Sequence, residues 1–164
     1  MATIQRIAPC LWFDDQAEEA ARYYVSIFKN SSINAITRYG KAGFELHKRP
    51  EGSVQCVAFM LDGQSFLALN GGPMFKFSEA VSLMVNCADQ KEIDYYWDRL
   101  GAGGDPKAQV CGWLKDRFGL SWQIVPSKIV EWQTDPARAE RVMNVVMQSK
   151  KLDCAALQRA YEGK

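Results

Sequence analysis

Two polar side chains, Ser121 and Gln123, are the residues of this sequence most suited to contact a ligand. Both belong to the second strand of a predicted β-hairpin over residues 111–126, whose polar turn lies at 116–119. Because side chains alternate along a strand, Ser121 and Gln123 share one face, whereas Trp122 lies on the other with the apolar core. A hydroxyl and a carboxamide on a concave face need hydrogen-bond partners. Those partners are each other, water or a ligand.

Reactive side chains elsewhere are few. The single histidine, His47, lies in a poorly patterned segment without a carboxylate at ligand spacing, so we interpret it as a solvent-exposed loop residue. The five cysteines are odd in number and far apart, which favours reduced thiols and a cytoplasmic setting. Among them, Cys10 shares a strand face with Trp12 and could face a cavity.

Two further patterns favour structural roles. The glycine-rich stretch 101–104 lacks the strand–loop–helix setting of a nucleotide fingerprint, so it indicates a helix end and a loop rather than a phosphate or adenosylmethionine site. Met143 and Met147 stand at helical spacing, which is typical of core or dimer packing.

Composition excludes several classes of function. A chain of 164 residues with 48% hydrophobic content is long enough for one domain with a sizeable core. Its 20 Lys and Arg nearly balance its 19 Asp and Glu, so no basic surface for nucleic acid is expected. No apolar run is long enough for a membrane span or a signal peptide, so we expect no membrane partner.

The elements that position these residues follow a repeated order of strand and then helix. In the first half we expect a helix capped by Asp14–Asp15 with Glu18 as a capping-box partner. A hairpin turning at Asp62–Gly63 is the clearest pattern there. The remaining predictions for this half are a strand over 7–13, a strand over 33–39 and an extended hairpin tip over 44–48.

The second half repeats the plan. A strand over 81–87 precedes a helix capped by Asp89 with Glu92, and the 111–126 hairpin completes the unit. We therefore predict an α+β fold of two tandem βαβββ modules, at about 1–78 and 79–126, within a single domain over 1–164. A helical extension over about 127–164 follows, with one helix starting at Asp135–Pro136 and another near Asp153.

Several motifs carry a resemblance to a known family. They are Pro-Cys-Leu-Trp-Phe-Asp at 9–14, Phe-Leu-Ala-Leu-Asn-Gly-Gly-Pro at 66–73, Cys-Gly-Trp-Leu-Lys-Asp at 111–116, Ser-Trp-Gln-Ile-Val-Pro at 121–126, Arg-Val-Met at 141–143 and Lys-Lys-Leu-Asp at 150–153. The chain resembles the PhnB-like, 3-demethylubiquinone 3-methyltransferase-like group of the vicinal oxygen chelate superfamily, which also contains glyoxalase I, bleomycin resistance proteins and extradiol dioxygenases. The resemblance covers nearly the whole chain and implies the glyoxalase/bleomycin resistance/dioxygenase fold.

The same resemblance implies a metal site, usually built from His, Glu or Gln on the first and last strands of each module. Carried over by position, its four ligands fall at Ala8 or Pro9, Asn70, Ser82 and Gln123. These residues offer neither a carboxylate nor an imidazole, so we predict that the protein binds no metal and no other cofactor.

The leading hypothesis is therefore a metal-free protein that binds a small, partly apolar or planar ligand in a concave pocket and acts as a homodimer. The predicted pocket residues are Cys10, Trp12, Asn70, Ser82, Met84, Trp113, Ser121 and Gln123. Two alternatives stay open. One is an enzyme, either a lyase, isomerase or dioxygenase on a recruited metal or the methyl transfer that the group name implies. The other is a structural dimer with a filled pocket.

Overall fold

The computed structural model describes residues 4–164, which form two compact units that meet in sequence at Lys76 and Phe77. Each unit contains its own β-sheet with a helix against one side. The mixed α+β class and the helical carboxy-terminal end are confirmed.

The first unit has a four-stranded sheet in the order β1-β4-β3-β2, in which β1 and β4 are parallel and the other pairs are antiparallel. Its elements are β1 (Cys10–Phe13), α1 (Ala17–Ile27), β2 (Ser32–Arg38), α2 (Phe44–His47), β3 (Val54–Leu61) and β4 (Gln64–Asn70). The predicted β3–β4 hairpin is confirmed, and Asp62 and Gly63 both adopt the positive φ that its two-residue turn requires.

Helix α1 packs an alanine-rich face and Tyr24 on the sheet, as its spacing predicts. The predicted cap was wrong. The residue before the helix is Gln16, whose side chain makes no cap hydrogen bond. Instead the Asn70 side-chain oxygen accepts a hydrogen bond of 2.8 Å from the Ala17 backbone N–H. A residue distant in sequence therefore satisfies one free donor of the first turn.

The prediction of an extended hairpin tip over 44–48 was also wrong, because this segment forms the short helix α2. Gly43 and Lys48 bracket the helix in left-handed conformations, and the Lys48 N–H donates to the Phe44 carbonyl. His47 is half-buried and both ring nitrogens contact the backbone, Nδ1 accepting from the Arg49 N–H. The histidine holds the loop, so it is not freely solvated.

The second unit has a three-stranded sheet in the order β5-β7-β6. Its elements are β5 (Ser82–Cys87), α3 (Gln90–Gly101), β6 (Trp113–Lys115), β7 (Ser121–Pro126), α4 (Pro136–Gln148) and α5 (Cys154–Glu162). The predicted Asp89 cap is confirmed, since its carboxylate accepts from the Glu92 N–H; the Glu92 carboxylate reaches back one residue beyond the cap and accepts from the Ala88 N–H.

This unit lacks the regular fourth strand that the βαβββ pattern predicts. Pro106–Ala108 forms a 3-10 turn there, and the strand is reduced to one bridge between Val110 and Trp113. The following strand is shorter than predicted because Cys111 and Gly112 both have positive φ, which extended strands do not accommodate. Their N–H groups donate instead to the carbonyls of Ser149 and Lys150.

The carboxy-terminal helices belong to the second unit. α4 and α5 begin where predicted, and the side chains of Asp135 and Asp153 cap them. The two helices enclose a core cluster made of Val125, Ile129, Trp132, Val142, Val146, Leu152 and Leu157. Within residues 4–164, no helix combines the length and the apolar character needed to cross a membrane.

Candidate functional site

One face of the second sheet carries most of the predicted site residues. Strand register sets Ser82 opposite Ser121, Met84 opposite Gln123, and Trp113 opposite Gln123. Alternation directs these side chains to the same side, which we call the open face; it consists of Ser82, Met84, Trp113, Lys115, Ser121 and Gln123. The other side carries buried residues such as Leu114, Trp122 and Ile124, which pack toward α3.

The β6–β7 turn is held by a buried carboxylate. Asp116 accepts hydrogen bonds from the backbone N–H groups of Phe118 and Leu120 and from the indole N–H of Trp122, at 2.8 to 3.1 Å. Three donors compensate for the burial of this side chain. The turn thereby fixes the register that sets Trp113, Lys115 and Ser121 side by side on the open face.

A cavity of about 460 Å³ lies at one end of this face. It is lined by Glu79, Lys107, Ala108, Val110, Cys111, Trp113, Leu114, Lys115 and Ser121. The volume falls within the range of small-molecule sites, and the wall combines an aromatic ring and aliphatic groups with a few polar ones. Two predicted residues, Trp113 and Ser121, therefore meet in one cavity.

The Ser121 hydroxyl is the exceptional polar group of this cavity. Its residue is 0% exposed, and among the described residues it is the one buried side-chain oxygen or nitrogen without a hydrogen-bond partner. Leaving a hydroxyl buried and unpaired costs about 1 to 3 kcal/mol. A buried group of this kind calls for an external partner.

Gln123 lies half-buried beside this cavity on the open face and donates a hydrogen bond of 2.8 Å from Nε2 to the Ser82 hydroxyl. The sequence left open a hydrogen bond between Gln123 and Ser121, but the internal partner of Gln123 is Ser82. Met84, on the neighbouring strand, is 48% exposed on the same face. Its exposure adds apolar surface that a ligand could cover.

The three predicted site residues of the first unit divide between the two sides of its sheet. Cys10 and Trp12 share the side away from α1, whereas Asn70 pairs with Phe13 in register and turns toward α1. Both ends of the Asn70 amide are hydrogen-bonded, since Nδ2 donates to the Val54 carbonyl while Oδ1 caps the helix. Burial, together with the nearby Cys56, raises the pKa of the Cys10 thiol.

Trp12 is held by the segment that follows β4. Its indole N–H donates to the Gly72 carbonyl at 2.8 Å, and its ring meets Phe75 edge-on at 4.9 Å. A Cβ on Gly71 would lie 2.1 Å from the ring, so only glycine fits there. The Gly-Gly motif therefore positions Trp12.

Comparison with known proteins gives one family. The model of the 3-demethylubiquinone-9 3-methyltransferase family matches residues 5–125, which is most of the chain. The chain belongs to this family. It is similar to the PhnB protein of Bacillus cereus, provisionally described as a 3-demethylubiquinone-9 3-methyltransferase, at 35% identity and a TM-score of 0.63 over 74% of this chain and 99% of that one.

A second solved structure, protein PA1353 from Pseudomonas aeruginosa, shares the fold at 19% identity and a TM-score of 0.56, over 74% of this chain and 96% of that one. Among curated proteins, none matches. The predicted relationship to PhnB-like proteins is confirmed.

The residues of this chain do not fit the metal site that the resemblance to the superfamily implies. Asn70 uses its amide to cap α1, and Gln123 and Ser82 bond to each other. Ala8 and Pro9 offer no side-chain donor. Across residues 4–164, no group of three or more His, Cys, Asp and Glu side chains is arranged to hold an ion. A hard cation would lack charged ligands at these positions.

The glycine-rich stretch 101–104 ends a helix and begins a loop, as predicted. Gly101 ends α3, and a Cβ on Gly104 would lie 1.9 Å from the Lys115 carbonyl oxygen. Close packing against β6 therefore requires glycine.

Sequence reasoning missed the charged part of the cavity, namely Glu79, Lys107 and Lys115. Lys115 has the same strand parity as Trp113, so alternation alone could have found it. Glu79 precedes β5 and reaches Lys115 through an ion pair of 2.5 Å, which no local pattern indicates. Cys111 was also missed, since its wall position depends on the left-handed backbone at 111–112.

Proposed function

We propose that the protein binds a small organic molecule on the open face of its second sheet, without a metal. The observation that carries this proposal is the cavity of about 460 Å³ whose wall includes Trp113 and the buried, unpaired Ser121 hydroxyl. A ligand oxygen or nitrogen bonded to Ser121 would supply the missing partner, and the indole would cover its apolar part.

The carboxy-terminal extension supports this site. Val125 lies on the same side of β7 as Ser121 and Gln123, and it packs in the cluster formed with α4 and α5. Cys111 contacts that cluster and also lines the cavity. The extension therefore supports the wall formed by Cys111 and leaves the cavity open to a ligand.

Substitution of Ser121 separates binding from folding. Ser121→Ala removes a buried hydroxyl that bonds to no described residue, so the melting temperature should stay equal or rise. Small molecules that stabilise the wild type in a thermal-shift screen should lose that effect in the variant. The matched control is Ser26→Ala, which removes an exposed hydroxyl of α1 in the first unit, away from the open face, and should leave the ligand-induced stabilisation unchanged.

Elemental analysis tests the metal-free part of the proposal. One equivalent of tightly bound zinc, iron, nickel or manganese in purified wild-type protein would favour a metalloenzyme.

Ligand hits that bind Ser121→Ala as well as the wild type would place the binding site elsewhere.

A dimer and a cytoplasmic location complete the proposal. Each sheet has two edge strands within its own unit, and edges of this kind are commonly covered by a second copy. All five cysteines are free thiols, which supports a reducing compartment.

A further inference from the structure

The charges around the cavity favour an anionic ligand. Lys107 and Lys115 contribute two positive charges and Glu79 one negative charge. Lys115 pairs with Glu79, whereas the Lys107 ammonium forms no ion pair with any residue between 4 and 164. The cavity wall thus carries an excess positive charge, although the whole chain has a formal net charge of only +1.

Strand register joins the positive charge to the unpaired hydroxyl. Lys115 stands directly opposite Ser121 in the β6–β7 ladder, on the same face of the sheet. Side chains in that relation have Cβ atoms about 4.5 to 5.5 Å apart. One carboxylate can therefore accept from the Ser121 O–H and from the Lys115 ammonium together.

The neighbouring position supplies a flat apolar wall. Trp113 lies two residues before Lys115 on the same strand face and lines the same cavity. Val110 and Ala108 extend this apolar surface. A flat ring system attached to the carboxylate would cover the indole while its head group reaches Lys115 and Ser121.

We propose that the cavity selects planar organic carboxylates, with the head group on Lys115 and Ser121 and the ring on Trp113. When no ligand is bound, the Glu79 carboxylate pairs with the Lys115 ammonium. The Glu79 side chain is 65% exposed. It is therefore able to turn into solvent when a ligand carboxylate replaces it. This inference rests on the proposed function and adds the charge and shape of the ligand.

The probe is 2-naphthoate, and its neutral counterpart is 2-naphthamide, with both affinities measured by calorimetry at low ionic strength. The wild type should bind the carboxylate more tightly than the amide. Lys115→Met should weaken naphthoate binding by about tenfold or more, because a charge-assisted hydrogen bond is lost. Ser121→Ala should weaken it by roughly fivefold.

Glu79→Gln gives the most diagnostic result. Removing the carboxylate that competes for Lys115 should strengthen naphthoate binding by roughly threefold and leave naphthamide binding unchanged. A merely structural Glu79–Lys115 pair would instead give equal or weaker binding. Glu45→Gln is the control, since Glu45 pairs with Lys48 in the first unit and is absent from the cavity wall.

The outcomes separate the two proposals. Equal binding of naphthoate and naphthamide, both sensitive to Ser121→Ala, would overturn the carboxylate inference and leave small-molecule binding standing. Binding of neither probe would overturn the inference, and with no hit in the wider thermal-shift screen it would overturn the proposed function as well.

Discussion

The hydrogen-bonding of single side chains determines which polar residues of this protein hold the fold and which are available to a ligand. Asp116 and Ser121 are both buried and lie five positions apart, yet their surroundings are opposite. The carboxylate accepts from three donors, whereas the hydroxyl bonds to none of the described residues. Satisfied groups of the first kind stabilise structure, and under the proposed function the ligand supplies the partner that the Ser121 hydroxyl lacks.

Asp116 should be one of the most costly residues to replace. Asp116→Ala would remove the carboxylate that accepts from the Phe118 and Leu120 N–H groups and from the Trp122 indole N–H, lowering the free energy of unfolding by about 3 kcal/mol or more. Urea denaturation measures this change. Asp98→Ala removes an exposed carboxylate of α3 and should alter stability by no more than about 0.5 kcal/mol. Similar losses in the two variants would contradict the argument.

Cys87 should make stability depend on alkaline pH. Burial, followed by the nearby Glu92, raises the pKa of its thiol from 9.0 to about 12. The native state thus holds the proton more tightly than the unfolded chain, so this contribution to stability is complete below about pH 9 and is lost as pH rises toward about 12.

The measurement is the urea midpoint of wild type and Cys87→Ala at a series of pH values. The variant loses packing at every pH, but its midpoint should fall less steeply above about pH 9 because the titrating thiol is gone. Parallel curves would show that Cys87 does not titrate differently in the folded state.

At the scale of elements, sequence patterns predicted those features that depend on neighbouring residues. The predicted Asp89 cap and the predicted starts of α4 and α5 are confirmed, and the capping side chains of Asp89, Asp135 and Asp153 all lie within three residues of the groups they bind. The cap of α1 could not be found in this way, because its acceptor, Asn70, is 53 positions from Ala17. Only the parallel pairing of β1 with β4 brings the two together.

The same reasoning explains the outcome for the candidate site. Alternation correctly grouped Ser121 with Gln123, since a strand enforces period two. It missed Glu79, whose contact with Lys115 depends on tertiary structure. It also extended β6 too far, because the left-handed backbone at Cys111 is stabilised by carbonyls of residues 149 and 150 rather than by its own sequence.

Helix α3 provides an element-scale test. Trp97 is 7% exposed and lies with Ile93 and Leu100 on the buried stripe of the helix. Trp97→Ala should lower the free energy of unfolding by about 3 to 5 kcal/mol through lost burial and the remaining cavity. Tyr95→Ala, on the exposed side of the same helix, should cost about 1 kcal/mol or less. An unchanged urea midpoint for Trp97→Ala would mean that the stripe does not pack on the sheet.

For the whole molecule, we predict a homodimer. The sheets have edge strands within their units, and α4 exposes the thioether side chains of Met143 and Met147 at 37% and 65%. Light scattering at micromolar concentration should give twice the mass of the 18.5 kDa chain. A monomer under these conditions would contradict the prediction.

Introducing a charged residue on α4 tests whether that helix lies in the dimer interface. Met147→Lys should weaken the dimer if the methionine stripe is covered by the second copy, because a desolvated ammonium is costly. Gln148→Lys is the control, since Gln148 is exposed and lies about 100° around the helix from Met147 and about 140° from Met143. Equal dissociation constants for both variants would place the interface on the sheet edges instead.

The carboxy-terminal extension is required for the second unit, although the family model ends at residue 125. Removing residues 127–164 would expose Val125 and take away the carbonyls that accept from the Cys111 and Gly112 N–H groups. We expect the shortened chain to lose the cooperative unfolding of this unit, because several fully buried side chains and two backbone hydrogen bonds disappear together. Tryptophan fluorescence reports on it, since three of the four tryptophans that remain, Trp97, Trp113 and Trp122, lie in the second unit and only Trp12 lies in the first. Deleting only Gly163 and Lys164, which are exposed, is the control and should leave the transition unchanged. A shortened chain with the wild-type urea midpoint would show that the extension is an appendage and that the cavity wall at Cys111 forms without it.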